Sequence, residues 1–235
     1  MPPSNSSVDL SIVIPARNEA ENLSTLMPEI NKIVSDMGIY YEILVVDECA
    51  DDSTSQVVNL NGGRLLCPAS RGYGMAILNG MRQALGAYIL TIDADFSHPP
   101  VFIRNLWEAR KSADIIIASR YVQGGKAIMP FTRYLLSRVL NRFFQIGLGI
   151  PVRDMSSGYR LYSDNAVAID EIECTDFDIL EEILVKAIIN GKKISEIAFT
   201  YAPRRHGSSH ARVFKFGLLY LKTFGRLWRL RHFRH

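Results

Sequence analysis

Short runs of branched apolar residues at 10–14, 41–46 and 87–92 alternate with stretches whose apolar side chains recur at helical spacing. Between the first two runs, residues 19–36 place Leu23, Leu26, Met27, Ile30, Ile33 and Val34 on one helical face. Further strands are expected at 64–66, 114–118 and 194–200. Further helices are expected at 72–85, 102–111, 131–146 and 178–189, with Pro99 and Pro100 leading into the second of these. This repetition predicts an α/β fold, a mostly parallel sheet flanked by helices. Ligands of such sheets bind beyond the carboxyl ends of the strands. Three strand ends therefore matter most: Pro15-Ala-Arg-Asn-Glu19, Asp47-Glu48 and Asp93-Ala-Asp95.

Of the 235 residues, 48% are hydrophobic and 22% charged, ordinary globular proportions that set aside disorder, collagen and coiled coil. Formal net charge is only +3, but it is unevenly spread. No acidic residue follows Glu196, while Arg204, Arg205, Arg212, Lys215, Lys222, Arg226, Arg229, Arg231 and Arg234 supply cations. That asymmetry points to an anionic partner, a phosphate or a membrane surface. In residues 212–231, Phe214, Gly217, Leu221, Phe224 and Trp228 recur at spacings of three and four, with Lys215, Lys222, Arg226 and Arg229 along the other side. Such a basic amphipathic helix lies either in the headgroup region of an anionic bilayer or against the protein's own core. No nucleic-acid motif accompanies the basic segment, so nucleic acid is not an expected partner.

Cys49, Cys67 and Cys174 lack metal-ligand spacing and suggest a reducing compartment. Neither a secretion signal nor a run long enough to span a bilayer is visible. The expectation is a cytoplasmic protein, peripheral at the cytoplasmic face of a membrane. No repeat or linker divides the chain, so it reads as one catalytic domain, 1–211, followed by the basic helix, 212–235.

The most informative fragment is Asp93-Ala94-Asp95. Two carboxylates one residue apart, directly after a buried strand, can hold Mg²⁺ or Mn²⁺ shared with diphosphate oxygens. The same fragment alone also suits a solvated Asp turn; what favours a cation is that Glu19 and Asp47 should project from neighbouring strand ends toward the same cleft.

The segments Ile12-Val-Ile-Pro-Ala-Arg-Asn-Glu19, Val45-Val-Asp-Glu-Cys-Ala-Asp-Asp-Ser-Thr54, Arg71-Gly-Tyr-Gly-Met-Ala76 with Asn79-Gly80, and Asp93-Ala-Asp95 resemble, in order and spacing, the inverting family-two nucleotide-sugar glycosyltransferases of the GT-A fold. Ala118-Ser-Arg-Tyr121, Arg133-Tyr-Leu-Leu-Ser137, Asp154-Met-Ser-Ser-Gly-Tyr-Arg-Leu-Tyr162 and Arg204-Arg-His-Gly-Ser-Ser-His210 resemble the polyprenol-phosphate (dolichol-phosphate) mannosyltransferase branch. The resemblance covers roughly residues 10–212. It implies that Pro15, Arg17, Glu19, Val45 and Asp47 surround the nucleoside, and that Asp93, Ala94 and Asp95 face the diphosphate. The metal would then sit on Asp93 and Asp95, with Ser97 where relatives carry Gln or Ser. It further implies an acceptor-phosphate cluster of Arg120, Arg133 and Ser137, and a clamp on the donor pyrophosphate from Arg204 and His210, with Arg120 also close to the donor. His210 stands where the family usually has Lys, and Glu48-Cys49-Ala50 departs from the commoner Asp-Gly-Ser.

The implied reaction is inverting transfer of a sugar, mannose from GDP-mannose, to a polyprenyl or dolichyl phosphate. A lipid phosphate is already anionic and needs no catalytic base, in keeping with the lack of an obvious nucleophile–base set. Asp95, Arg120, Arg133 and Ser137 would carry catalysis by positioning and charge neutralisation. The alternatives are a UDP-sugar donor carrying glucose or N-acetylhexosamine, with a lipid-phosphate or hydroxyl acceptor, the latter using Asp154 or an acid in 176–182 as base; a nucleotide- or nucleic-acid-binding module; and a non-catalytic subunit.

Overall fold

The computed structural model describes residues 7–48, 51–203 and 213–233. Strand β1 (Leu10–Ala16), helix α1 (Ala20–Ser35), β2 (Tyr41–Asp47), α2 (Asp52–Leu60), β3 (Arg64–Leu66), α3 (Tyr73–Gln83), β4 (Tyr88–Thr91), α4 (Ile103–Ala109) and β5 (Ile115–Ser119) follow one another in the expected alternation. Then come β6 (Lys126–Ala127), α5 (Phe131–Leu148), β7 (Arg160–Ser163), α6 (Ile179–Ile189), β8 (Ile194–Ala198), β9 (Thr200–Tyr201) and α7 (Val213–Phe233). Seven strands form one sheet in the order β3-β2-β1-β4-β7-β5-β8, and β6 pairs with β9 beside it. Every neighbouring pair in the large sheet is parallel except those of β7, which runs antiparallel to β4 and β5.

Buried apolar residues on both faces explain the near-continuous apolar strands. Ile12, Ile14 and Val45 meet Leu23, Leu26 and Ile30 of α1 and Leu106 of α4 on one face. Val13, Leu44 and Val46 meet Ala76 of α3 on the other. A separate cluster joins Ile115 and Ile117 of β5 to Met81, Phe144, Ile183 and Leu227 of α3, α5, α6 and α7. With β2 on one side of β1 and β4 on the other, the direction of winding changes at β1. A crevice at the carboxyl ends follows from that topology.

Besides the short β6 and the division of the strand expected at 194–200 into β8 and β9, two elements depart from the sequence expectation. α2 stands where no helix was anticipated, its start capped by Asp51, whose carboxylate accepts the Thr54 N–H at 2.9 Å. β7 begins inside the Asp154–Tyr162 segment, where no strand was expected. Its first residue, Arg160, is wholly buried and donates to the carbonyls of Ser157 at 2.7 Å, Leu180 at 2.9 Å and Met155. Arg160 is in register with Thr91 of β4 and Ile117 of β5, so the start of β7 lies near their carboxyl ends. Reversal of this one strand thereby delivers residues 154–158 to the crevice.

Helix α7 packs on the protein's own body. Leu227 and Thr223 are buried, and the Phe224 ring lies 4.4 Å from that of Phe143 on α5. The Thr223 hydroxyl donates to Asp178 at 2.7 Å, and Arg226 reaches Glu182 at 3.1 Å and Glu173 at 2.7 Å. The inward row is thus Thr223, Phe224, Arg226 and Leu227. Leu221 and Trp228, expected on the apolar stripe with Phe224, are exposed, and Arg226, expected on the cationic side, is spent on an internal ion pair. No helix among the described residues is long and apolar enough to cross a membrane.

Burial raises the Glu182 carboxyl, but hydrogen bonds from Lys186, the Cys174 N–H and Arg226 outweigh it and hold the pKa at about 2. A folded value below the ordinary 4.5 means stabilisation that is present above about pH 4.5 and fades as pH falls toward 2. Glu182→Gln should therefore flatten the acid limb of a pH–stability curve over that window. At pH 7 it should lower stability by about 3–5 kcal/mol, read by urea unfolding.

Candidate active site

A cavity of about 420 Å³ opens beyond the carboxyl ends of β1, β2 and β4. Pro15, Arg17 and Glu19 reach it from the loop after β1, Glu48 from beyond β2, and Asp93, Ala94 and Asp95 from beyond β4. Arg71, Gly72 and Tyr73 close it from the start of α3, Asp176 and Phe177 from ahead of α6. Arg17 pairs with Glu48 at 3.4 Å, and Glu48 also accepts the Gly72 N–H at 3.0 Å. Gly72 has φ +123° and Gly74 packs against the backbone of Thr175 and Asp176, where a Cβ would approach within 2.7 Å. These glycines let α3 enter close to the segment that carries Phe177, and Tyr73 stacks on Phe177 with ring centroids 4.5 Å apart.

Val45 and Asp47, expected beside a nucleoside, are wholly buried and do not line this cavity. Val45 belongs to the core under α1. Side chains alternate along a strand, so the residue that clears the end of β2 and reaches the wall is Glu48, one position on.

The loop after β4 is tightly built. Phe96 adopts φ +62°, and the Asp95 carboxylate accepts the Ser97 N–H at 2.9 Å. His98 folds back so that its Nδ1 accepts the Asp93 N–H at 3.2 Å, while its ring stacks on Tyr159 at 4.9 Å. Burial lowers the His98 pKa, which keeps the ring neutral with its proton on Nε2. The Tyr73 hydroxyl donates to Asp93 at 3.2 Å, and burial, with Asp93 nearby, raises the Tyr73 pKa well above its ordinary value. Asp93 and Asp95 thus face one cavity from a fixed loop, a pair of oxygen donors suited to a hard divalent cation. Among the described residues no group of three His, Cys, Asp or Glu is arranged to enclose a cation, so the rest of its shell would fall to phosphate oxygens and water. Ser97, expected as a third ligand, is buried and lines neither cavity.

A second cavity, of about 480 Å³, lies on the far side of Asp93 and Phe177, which line both. Its polar end holds Arg120, Arg133, Ser137, His98, Ser156 and Ser157, and its long wall is apolar: Leu136, Val139, Leu140, Phe143 and Phe144 of α5 with Leu221 of α7. Arg133, Ser137 and Asn141 share one face of α5 at intervals of four. Tyr121 donates to the Ser137 hydroxyl at 2.7 Å, and Asn141 spans from the Ser137 carbonyl at 2.8 Å to the Ser156 hydroxyl at 3.0 Å. Arg120 meets both oxygens of the wholly buried Asp154, from Nε at 2.7 Å and from a terminal nitrogen at 2.5 Å. Burial opposes its charge, but Asp154 more than compensates and raises the Arg120 pKa.

Arg120, Arg133 and Ser137 are thus brought together, and so are Pro15, Arg17, Glu19, Asp93, Ala94 and Asp95, but in two adjoining cavities; Arg120 lines the second and not the first. Arg204 and His210 lie outside the described residues. Asp154, the alternative base, is committed to Arg120. Tyr73, His98 and Phe177 also line the cavities without having been expected, and of the acids in 176–182 named as an alternative base, Asp176 lines the first and Glu181 the second. The Asp93-x-Asp95-x-x-His98 spacing was a visible signal for His98, whereas Phe177 and Glu181 depend on where α6 lands.

A model of the family described as Glycosyl transferase family 2 matches residues 11–168. The chain belongs to that family. Among its relatives, the dolichol-phosphate mannosyltransferase of Pyrococcus furiosus is 34% identical over 209 residues, covering 85% of this chain and 58% of that protein. The chain therefore spans less than two thirds of that relative's length. The undecaprenyl-phosphate mannosyltransferase of Micrococcus luteus is 29% identical over 210 residues, covering 84% of this chain and 85% of that one. In three dimensions the chain is similar to glucosyl-3-phosphoglycerate synthase from Mycobacterium tuberculosis in complex with Mn²⁺, UDP and glucosyl-3-phosphoglycerate, at TM-score 0.71 and 16% identity over 97% of this chain and 81% of that one. A form of the same synthase with Mn²⁺ and UDP-glucose gives TM-score 0.72 at 17% identity, over 97% and 80%. This likeness is one of fold: the family-2 chain has the GT-A architecture expected from its sequence.

Because Asp154 is what makes a buried Arg120 tolerable, Asp154→Ala should cost about 3–5 kcal/mol in urea unfolding. The double variant Arg120→Ala/Asp154→Ala should be less destabilised than the sum of the single variants, since the stranded charge is gone.

Proposed function

We propose that the chain transfers a hexose, mannose from GDP-mannose, to a polyprenyl phosphate with inversion at the anomeric carbon. The observation that carries this reading is the meeting of the two cavities at Asp93 and Phe177. One has the shape and carboxylates for a nucleotide sugar and its cation. The other combines two arginines with a long apolar wall, the two halves of a lipid phosphate. A sugar linked to diphosphate on one side of Asp93 would present its anomeric carbon to a phosphate oxygen on the other. That oxygen forms the new C–O bond as the bond to the nucleoside diphosphate breaks, and the lipid phosphate enters already deprotonated.

The chain's own residues supply position and charge. Arg133 and Ser137, with Arg120 held by Asp154, would fix the acceptor phosphate, while Tyr73 and His98 hold Asp93 in place. Asp93 and Asp95 would hold Mg²⁺ or Mn²⁺, which when bound neutralises charge on the leaving diphosphate. Residues 1–211 form the catalytic unit in this reading, with Arg204 and His210 as candidate partners of the donor pyrophosphate. The two mannosyltransferase relatives support the choice of mannose and of a polyprenyl acceptor.

An anionic membrane surface is the partner that residues 212–235 and α5 would meet, at the cytoplasmic face. Phe131, Leu135, Val139 and Ile146 on α5 and Leu221 and Trp228 on α7 are exposed, Val139 and Leu221 lining the second cavity, and Arg138, Arg142, Lys222 and Arg229 are exposed on the same two helices.

Incubation of a panel of nucleotide sugars with Mg²⁺ or Mn²⁺ and a short polyprenyl phosphate should yield a metal-dependent glycosyl-phosphoryl lipid, identified by mass, from GDP-mannose. Asp95→Asn should slow its formation about a hundredfold or more. Donor turnover that yields only hydroxyl-linked products would overturn the acceptor. In flotation with liposomes containing an anionic lipid, Phe131→Glu/Ile146→Glu should bind more weakly than wild type by about a hundredfold or more, each buried apolar side chain being worth about 1.5–3 kcal/mol.

A further inference from the structure

Glu181 is an acid that the transfer chemistry above does not use. It stands in the first turn of α6, is 4% exposed, and lines the second cavity. Its Oε2 is buried and has no hydrogen-bond partner among the described residues. A buried acid with an unsatisfied oxygen is costly to keep, and a turn of its carboxyl toward the cavity that Glu181 lines would let an entering group satisfy it.

Two kinds of ligand group pass through this space, a phosphate and the hydroxyls of a sugar. The phosphate is drawn to Arg120, Arg133 and Ser137. The sugar, travelling from diphosphate to acceptor, must lie at the wall shared by both cavities, which is made by Asp93 and by Phe177 at the entry to α6, one helical turn before Glu181. A carboxyl group suits a neutral hydroxyl there and would repel a phosphate once ionised. We infer that Glu181 hydrogen-bonds a ring hydroxyl of the transferred hexose and thereby helps determine which sugar is accepted, an assignment that rests on the transfer reading above.

The electrostatic setting agrees. Burial pushes the Glu181 carboxyl up to about 8; its own backbone N–H and Arg160 pull it down, and Asp178 and Asp154 push it up. At neutral pH it carries a proton and can donate to a hydroxyl oxygen as well as accept from a hydroxyl hydrogen. Glutamine preserves both abilities and leucine removes them at similar volume.

The test pairs Glu181→Leu and Glu181→Gln with GDP-mannose and its singly deoxygenated sugar analogues, reading donor binding by calorimetry and kcat/KM for glycosyl lipid. Glu181→Leu should weaken use of GDP-mannose about tenfold, and Glu181→Gln should stay within about threefold of wild type. One deoxy donor should be already weakened in wild type and indifferent to Glu181→Leu, a coupling that a purely structural role would not produce. Equal losses for every deoxy donor, or no loss at all, would overturn the assignment. So would a fall in kcat with donor binding unchanged, which places Glu181 on proton transfer. If wild type forms no glycosyl lipid from any donor, the transfer reading fails, and the calorimetric coupling still decides whether Glu181 touches the sugar.

Discussion

Placing a guanidinium inside a sheet is costly unless its donors are used, and Arg160 uses them on the carbonyls of Met155, Ser157 and Leu180. Those three carbonyls belong to the loop before β7 and to α6. One wholly buried side chain therefore fixes where that loop turns, where the antiparallel strand starts and how α6 approaches the sheet. Ser157, Gly158 and Glu181 reach the second cavity, and Phe177 the wall between the two, because of that arrangement.

Charge is organised around the same loop. Asp154 holds Arg120 rigidly, and Asn141 ties the loop to α5, so the arginine and the Ser137 face of the helix are set relative to each other before any ligand arrives. Across the shared wall, Tyr73 and His98 do the same for Asp93, one through its carboxylate and the other through its backbone N–H. Preorganisation of this kind is what group transfer without a covalent intermediate requires, since geometry and charge must be in place when the bond breaks.

Much of this could be read from the chain, and the failures have physical causes. β1, β2, β4 and β5 were visible because strands buried on both faces read as continuous apolar runs, and α1 because its inward face repeats cleanly. β7 was hidden because its short sequence opens with an arginine and follows two serines and a glycine, which look like a turn until the buried carbonyls appear. α2 was missed because it is short and weakly apolar. Arg17, Glu19, Asp93 and Asp95 follow directly from the strand ends. Whether Asp47 or Glu48 clears the edge depends on a one-residue pleat, and Glu181 reaches the cavity only through the docking of α6. α7 looked like a detachable amphipathic helix, yet Arg226 and Thr223 turn inward because Glu182 and Asp178 wait on α6.

The two cavities also draw on different stretches of the chain. Apart from Asp176 and Phe177, the first cavity is built from residues 15–95, whereas the second, apart from Asp93 and His98, is built from residues 120–221. Beside the cavities the two stretches meet at Tyr73 on Phe177, at Gly74 against Thr175 and Asp176, and at the close of β4 with its following loop against residues 158–160, so the later stretch can drift in sequence away from those points without disturbing the strand ends of the earlier one. In descent, such a layout lets a lineage keep one way of holding an activated donor while exploring new destinations for what it carries.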